Sequence, residues 1–231
     1  MKKLRLLSLA VASLFAVSPV RGVDFNDIEF WVGSGANQAA LVIDWNDGKS
    51  IESLVWGYRW DGSATGIEMF QAVVNADSRL YAHLGTFNYG LGVFGIGYDL
   101  DGNGVFGVSA TPPLSFGPGG LTIDSLATGD DNVDPAGTPT EAADHWAESW
   151  YPAPGYWGYY VKSSTGDLWA ESFEGASDRV LADGGWDGFS FGNYPPPLPD
   201  EASPALVPEP GTFALFSLAA IVLTCVRRKQ S

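Results

Sequence analysis

Cysteine is almost absent from this sequence. Of 231 residues only Cys225 is a cysteine, and it lies in an apolar run near the C-terminus. A disulfide framework and thiol catalysis in the main domain are therefore excluded. Histidine is also scarce, because the chain has only His83 and His145, and their spacing is not that of metal ligands. We expect both histidines to be ordinary surface or core residues.

Basic residues are few, and most of them lie at the two ends of the chain. The sequence has 12 Lys and Arg against 27 Asp and Glu, and seven of the 12 fall within residues 1–22 and 227–229. Residues 23–206 contain 26 acidic residues and only five basic ones: Lys49, Arg59, Arg79, Lys162 and Arg179. This excess of negative charge argues against nucleic acid and against anionic membrane surfaces as partners. It suits solubility, cation binding or neutral ligands.

Long hydrophobic runs are missing too, and the two short ones lie at the termini. Lys2, Lys3 and Arg5 precede a short apolar core, Leu6–Val17, as in a secretory signal peptide. We predict a signal peptide over residues 1–22, cleaved between Ser18 and Gly22. A permanent N-terminal anchor is the alternative, but the apolar core is short for a membrane span of roughly 20 residues.

The C-terminal run has a more specific context. Val207, Pro208, Glu209 and Pro210 precede an apolar segment over residues 212–226, and the basic residues Arg227, Arg228 and Lys229 follow it directly. Basic residues in this position hold that end of a segment in the cytoplasm.

The arrangement resembles the PEP-CTERM sorting signal of exported proteins in Gram-negative bacteria, over residues 207–231. The resemblance implies exosortase, a membrane protease, as processing partner. It also implies a transient inner-membrane anchor over residues 212–226. The final destination would be the cell surface or extracellular matrix, in association with exopolysaccharide.

The main domain, predicted over residues 23–193, begins with two strand patterns and a helix pattern. Ala39–Trp45 is an apolar strand, and Asn46–Lys49 contains the Asp-Gly pair typical of a tight hairpin turn. The second strand places Leu54, Trp56, Tyr58 and Trp60 on one face. Thr65 and Glu68 form a capping box, and the apolar stripe of the following helix comprises Ile67, Phe70, Val73 and Val74.

The second half is predicted to contain a long insertion, further strands and a spacer. The insertion covers about residues 99 to 150, and Thr138–Glu141 has the capping pattern of a short helix ending near Trp150. Strands are predicted over Gly155–Val161, Leu168–Phe173 and Phe189–Phe191. Residues 194–206 are proline-rich, which favours an extended, semi-rigid spacer. The fold class is therefore α+β, a mixed β-sheet with one crossing helix.

The order of these elements loosely resembles the β-grasp-like C-terminal domain of transcobalamin. The matching pieces are Ile67–Val74, Tyr156–Val161 and Leu181–Phe191. The resemblance implies a β-grasp-like sheet, and it makes a corrinoid-type small-ligand protein the runner-up function. Cobalamin binding does not follow from it, because one fold hosts many functions.

Two motifs suggest ligand sites, each with a plainer alternative. Asp99, Asp101 and Asn103, followed by Gly104, resemble the first half of a calcium loop, which Asp124, Asp130 or Asp131 would complete. An acidic β-turn is the alternative. The aromatic strand residues Trp157, Tyr159 and Tyr160 are candidates for stacking against a sugar, and packing within the sheet is the alternative.

The sequence predicts no catalytic residue. Gly188–Gly192 fits the G-x-S-x-G pattern around Ser190, but prolines follow where the nucleophile elbow needs a helix, and both histidines precede the serine. The two G-x-G-x-x-G matches open no helix and are weak. We therefore expect an exported, non-enzymatic surface protein that binds glycans or other surface molecules, without a cofactor other than calcium. An extracellular hydrolase is a third, weaker alternative.

Overall fold

The computed structural model describes residues 23–110, 113–125, 137–148, 155–192 and 202–208. These ranges form a mostly β-sheet domain with a single short helix, α1 (Gly66–Ala76). The strands are β1 (Trp31–Gly33), β2 (Asn37–Asp44), β3 (Ser53–Trp60), β4 (Leu80–Phe87), β5 (Gly90–Tyr98), β6 (Val108–Ser109), β7 (Leu121–Ser125), β8 (Thr138–Pro139), β9 (His145–Glu148), β10 (Tyr156–Lys162), β11 (Ala170–Glu171), β12 (Gly185–Gly192) and β13 (Ser203–Pro204).

The predicted hairpin and helix are confirmed. β2 pairs antiparallel with β3, and the predicted face of β3 lies in the core. Thr65 caps α1: its side chain accepts from the Glu68 N–H while the Glu68 carboxylate accepts from the Thr65 N–H. The predicted apolar stripe of α1 is buried throughout. The turn is longer than predicted, because ladder pairing ends at Asp44 and Ser53, leaving an eight-residue connection.

Two sheets share one hydrophobic core with the helix. The larger sheet has the order β1-β3-β2-β12-β10-β11, with β13 also on β3, and it mixes parallel and antiparallel pairs. The smaller sheet has the order β7-β4-β5-β9. Large side chains from both sheets and α1 form this core, among them Trp45, Trp56, Phe70, Leu84 and Ile96. Trp45 crosses between the sheets and donates its indole N–H to the Ile96 carbonyl oxygen at 3.0 Å.

The helix predicted after Thr138 is wrong. Thr138–Pro139 pairs with Val108–Ser109 as a two-stranded ladder, and His145–Glu148 is strand β9, paired antiparallel with β5. A capping box is a local signal of about 1 kcal/mol, and the main-chain hydrogen bonds and burial gained by joining the smaller sheet outweigh it.

The α+β class holds at the coarse level of mixed sheets with one helix, but the β-grasp topology is not confirmed. The end of the predicted spacer is also part of the fold, because Ser203–Pro204 pairs with β3. Within the described ranges no helix is both long and apolar enough to cross a membrane. The predicted signal peptide, the membrane segment 212–226 and the basic residues after it lie outside those ranges.

Candidate functional site

An acidic loop follows β5 where the smaller sheet ends. Asp99 is buried, and its two carboxylate oxygens accept the N–H groups of Gly102 and Gly104, each at 2.8 Å. Both glycines have positive φ angles, 67° and 80°, which other residues adopt only with strain. The loop therefore folds back on the Asp99 carboxylate, while the Asp101 side chain remains exposed.

Asp144 reaches the same place from a distant part of the sequence. In the antiparallel pair of β5 with β9, Tyr98 lies opposite His145, so Asp99 and Asp144 are the next residues beyond the pair. Asp144 is fully buried, and its Oδ1 accepts the Leu100 N–H at 3.1 Å. Asp99, Asp101 and Asp144 each place one carboxylate oxygen within 4.8 Å of the others. We call these three residues the acidic cluster.

The environment of the acidic cluster disfavours negative charge. Burial raises the pKa of Asp144, and the Asp99, Asp101 and Glu141 carboxylates raise it further, against one hydrogen bond from Leu100 that lowers it. Burial also raises the pKa of Asp99, against the hydrogen bonds from its own loop. These groups carry an electrostatic cost that a bound cation would offset.

The other predicted calcium ligands have different partners. Asn103 Oδ1 accepts the Val105 N–H at 2.7 Å, and its Nδ2 donates to Asp101 and to Glu141. Asp124 Oδ2 lies 2.7 Å from Nε2 of His83, on the smaller sheet. Asp130 and Asp131 lie outside the described residues. Asp144 was missed because the pairing of β5 with β9, which brings it to the loop, leaves no mark in the local sequence.

The aromatic residues predicted to stack on a ligand lie mainly in the sheet interior. Trp157 and Tyr160 are each only 7 % exposed, and the Trp157 indole N–H donates to the Ala147 carbonyl oxygen at 3.0 Å. Tyr159 is half-buried and hydrogen-bonds to Asp187. Burial therefore favours the packing role over the sugar-stacking role for this strand.

His83 lies between two carboxylates across the smaller sheet. Its Nδ1 is 2.6 Å from Glu148 Oε1, and its Nε2 is 2.7 Å from Asp124 Oδ2. Burial lowers the pKa of His83, but the hydrogen bonds and charges of the two carboxylates outweigh burial and raise it. Gly95 lies between His83 and Glu148 in the sheet, where a Cβ would come within 2.6 Å of the Trp146 ring. The side chains of Asp124, His83 and Glu148 thus link strands β7, β4 and β9.

The G-x-S-x-G match is a continuous strand and not a nucleophile elbow. Ser190 lies within β12 and donates its hydroxyl to Asp44 Oδ2 at 2.8 Å, with both residues buried. The other histidine, His145, is also engaged: Nδ1 is 2.9 Å from Asp47 Oδ2, and Nε2 is 3.1 Å from the Ile51 carbonyl oxygen.

Asp44→Asn is expected to flatten the pH dependence of stability. Burial raises the pKa of Asp44 from 3.8 to about 6, although hydrogen bonds from Ser190 and Asn46 oppose the shift. A carboxyl group whose pKa is higher in the folded than in the unfolded state stabilises the fold while it is protonated. This contribution is lost as the group ionises. As the pH rises from about 4 to above 6, the wild type should therefore lose on the order of 2–3 kcal/mol relative to the variant. Urea unfolding across that interval measures the difference, and parallel curves for the two proteins would contradict it.

A cavity of about 370 Å³ lies beside the end of α1 and the acidic loop. Its aromatic lining is Tyr81, Phe106 and Phe116, and Asn75 and Ser78 are exposed polar residues at the same cavity. Tyr81 and Phe106 stack with ring centroids 4.0 Å apart, and Phe116 meets Tyr81 edge to face. The cavity thus combines aromatic surface with amide and hydroxyl groups.

The domain remains anchored almost up to the Pro-Glu-Pro motif. Ala205 is fully buried and donates its N–H to the Val55 carbonyl oxygen at 2.9 Å, and the Arg79 guanidinium donates to the Leu206 carbonyl oxygen. Val207, by contrast, is 57 % exposed. The domain therefore holds the chain at Ala205 and Leu206, directly before the motif.

Comparison with known protein families identifies the C-terminal segment. The PEP-CTERM protein-sorting motif matches residues 206–229, which confirms the prediction made from Pro208–Pro210, the apolar run and the basic end. The chain thus carries the signal of an exported exosortase substrate, with a membrane anchor that is transient and is cleaved. No curated protein and no solved structure matches the chain.

Proposed function

We propose that this exosortase substrate is a non-enzymatic binding protein of the cell surface or extracellular matrix, with exopolysaccharide or another neutral glycan as its ligand. The observation that carries the proposal is the position of the sorting signal, directly after a folded β-domain whose contacts include Leu206. Export and cleavage would deliver that domain intact to the outside of the cell.

Processing at the motif is compatible with the fold. β13 pairs with β3 upstream of the motif, and Arg79 holds the Leu206 carbonyl oxygen. Cleavage at or near Pro208 would leave this strand in its sheet, so the mature C-terminus would stay attached to the domain. A protease in the membrane could reach the exposed Val207 without unfolding the core.

The cavity near α1 is our candidate for glycan contact. Aromatic rings beside amide and hydroxyl groups suit a sugar ring, which has apolar C–H faces and hydroxyl edges. The exported part has 26 acidic and five basic residues, so it would repel anionic polymers and favour neutral ones. A catalytic role has less support, because Ser190 is bonded to Asp44 and both ring nitrogens of each histidine are engaged. The corrinoid alternative also has less support, because it depended on the β-grasp resemblance and that topology is not confirmed.

The expected result is that the exported, processed protein sediments with neutral exopolysaccharide and does not hydrolyse esterase or glycosidase substrates. Phe116→Ala should weaken binding roughly tenfold, equivalent to about 1.4 kcal/mol, because it removes one wall of the cavity. Phe173→Ala is the matched control, since Phe173 is fully exposed and does not line the cavity.

Two results would contradict the proposal. One is the absence of binding to any polysaccharide in the panel, combined with binding of a corrinoid. The other is turnover of a hydrolase substrate that Ser190→Ala abolishes. Equal binding by the Phe116 and Phe173 variants would leave glycan binding in place but exclude this cavity as its site.

A further inference from the structure

We infer that Asp99, Asp101 and Asp144 form a binding site for a divalent cation, and that Ca²⁺ is the preferred ion. The three contributing oxygens lie within 4.8 Å of one another. Ca²⁺ binds oxygen at 2.3–2.6 Å, so two ligands of one ion are at most about 5 Å apart. A single ion can therefore contact all three side chains after small movements.

The strongest sign of a ligand is an unpaired oxygen of Asp144. This side chain is fully buried, its Oδ1 accepts the Leu100 N–H, and its Oδ2 has no hydrogen-bond partner. Buried carboxylate oxygens are nearly always hydrogen-bonded or bound to a metal, because leaving one unpaired is costly. A cation in the acidic cluster would satisfy Oδ2 directly.

Local charge supports the same conclusion. Within the described part of the chain, no basic side chain forms an ion pair with these three carboxylates. Lys49 pairs with Asp47 instead, and it donates to the main-chain oxygen of Asp144 and not to its carboxylate. Two buried carboxylates and an adjacent exposed one therefore repel each other without a neutralising partner.

The ligand chemistry selects a hard cation. The cluster offers only carboxylate oxygens, which suit Ca²⁺, Mg²⁺ or Mn²⁺ better than the metals that prefer histidine or cysteine. Mg²⁺ needs near-ideal octahedral geometry, whereas Ca²⁺ accepts irregular sets completed by water. Asp101 is exposed, so water can reach the open side of the site. Sites of this kind in extracellular modules bind Ca²⁺ with Kd values of about 10⁻⁴–10⁻³ M.

Binding would join two distant parts of the chain. Asp99 and Asp101 follow β5, and Asp144 precedes β9, so the ion would close the base of the whole insertion between them. The Ca²⁺ concentration outside the cell would then control how firmly the loop after β5 is held to the residue before β9. This differs from the ligand set predicted from sequence, because Asp144 replaces Asn103 as the third ligand.

The test is Ca²⁺ titration of the exported, processed protein after treatment with a chelator, followed by calorimetry and thermal unfolding. Millimolar Ca²⁺ should raise the Tm by mass action, and Mg²⁺ should do so less. Asp144→Asn should abolish the shift while its amide oxygen still accepts the Leu100 N–H. Asp101→Asn is a second variant, at an exposed position, in case the buried one does not fold. Asp167→Asn, exposed and outside the cluster, should behave as wild type.

Native mass spectrometry counts the bound ions directly. One Ca²⁺ per wild-type chain, lost in the Asp101 and Asp144 variants and kept in the Asp167 variant, is the expected result. The inference is overturned if the wild type binds no Ca²⁺ at millimolar concentration, or if either cluster variant binds it with unchanged affinity. Glycan binding is a separate measurement, so failure here would not count against the proposed function.

Discussion

Replacing Pro208, Glu209 and Pro210 with alanine is expected to abolish the processed form of this protein. The full-length chain should instead accumulate in the inner membrane, because the sorting protease would lack its motif while the apolar run and its basic end still halt export. Cys225 is the only cysteine, so thiol labelling distinguishes the two forms: uncut chains carry the label and cut chains do not. Labelling of membrane and surface fractions measures the effect.

Two controls separate recognition of the motif from damage to the domain. Alanine at Pro195, Pro196 and Pro197 changes three residues upstream of the motif, and processing should continue. Removal of residues 212–231 should release the uncut domain into the periplasm, because the halting segment is gone. Recovery of peptides spanning residues 213–226 from the mature surface protein would show instead that this segment is a permanent anchor.

Phe70→Ala should cost about 3–5 kcal/mol of unfolding free energy. Phe70 is completely buried on α1, in the core that both sheets share, and its ring meets that of Phe189 at 5.1 Å between centroids. Truncation removes this contact and leaves a cavity that the surrounding strands cannot fill without disturbing β-pairing. Urea unfolding of the exported protein, analysed at a common slope, gives the difference.

The same Phe→Ala change at an exposed site is the control for this prediction. Phe173 is fully exposed, so its replacement should change stability by no more than about 0.5 kcal/mol. Similar losses for the two variants would mean that burial of Phe70 does not explain its effect. A loss below about 1 kcal/mol for Phe70→Ala would show that the helix face is not packed as described.

The sequence by itself determined the features that depend on neighbouring residues. The sorting signal is a contiguous motif, so the residues around Pro208 were sufficient to identify it. The helix start at Thr65 depends on a side chain three residues away, and its apolar stripe on a 3.6-residue period. Strand β2 is likewise a short apolar run. These elements appear in the structure because the tertiary environment agrees with the local preference.

Local preference and tertiary pairing disagreed around residue 140. The capping pattern at Thr138–Glu141 predicts a helix, yet β8 and β9 are strands because β5 and β6 offer partners for their main-chain groups. A helix there would also have removed Trp146 and Glu148 from the smaller sheet. Pairing between residues some 30 to 50 positions apart leaves no local signature, so the error could not be corrected from the sequence.

Part of the candidate cation site could likewise be predicted from the sequence, and part of it could not. Asp99 and Asp101 were predicted because they lie two residues apart in a glycine-rich loop, a spacing that the sequence displays directly. Only the fold supplied Asp144, since the register of β5 against β9 places it beside that loop. Likewise the proline-rich composition before the motif predicted an extended, semi-rigid spacer, but Ala205 is buried because β13 pairs with β3. The composition of a segment indicates the conformation that it favours in isolation, whereas its burial depends on the elements packed against it.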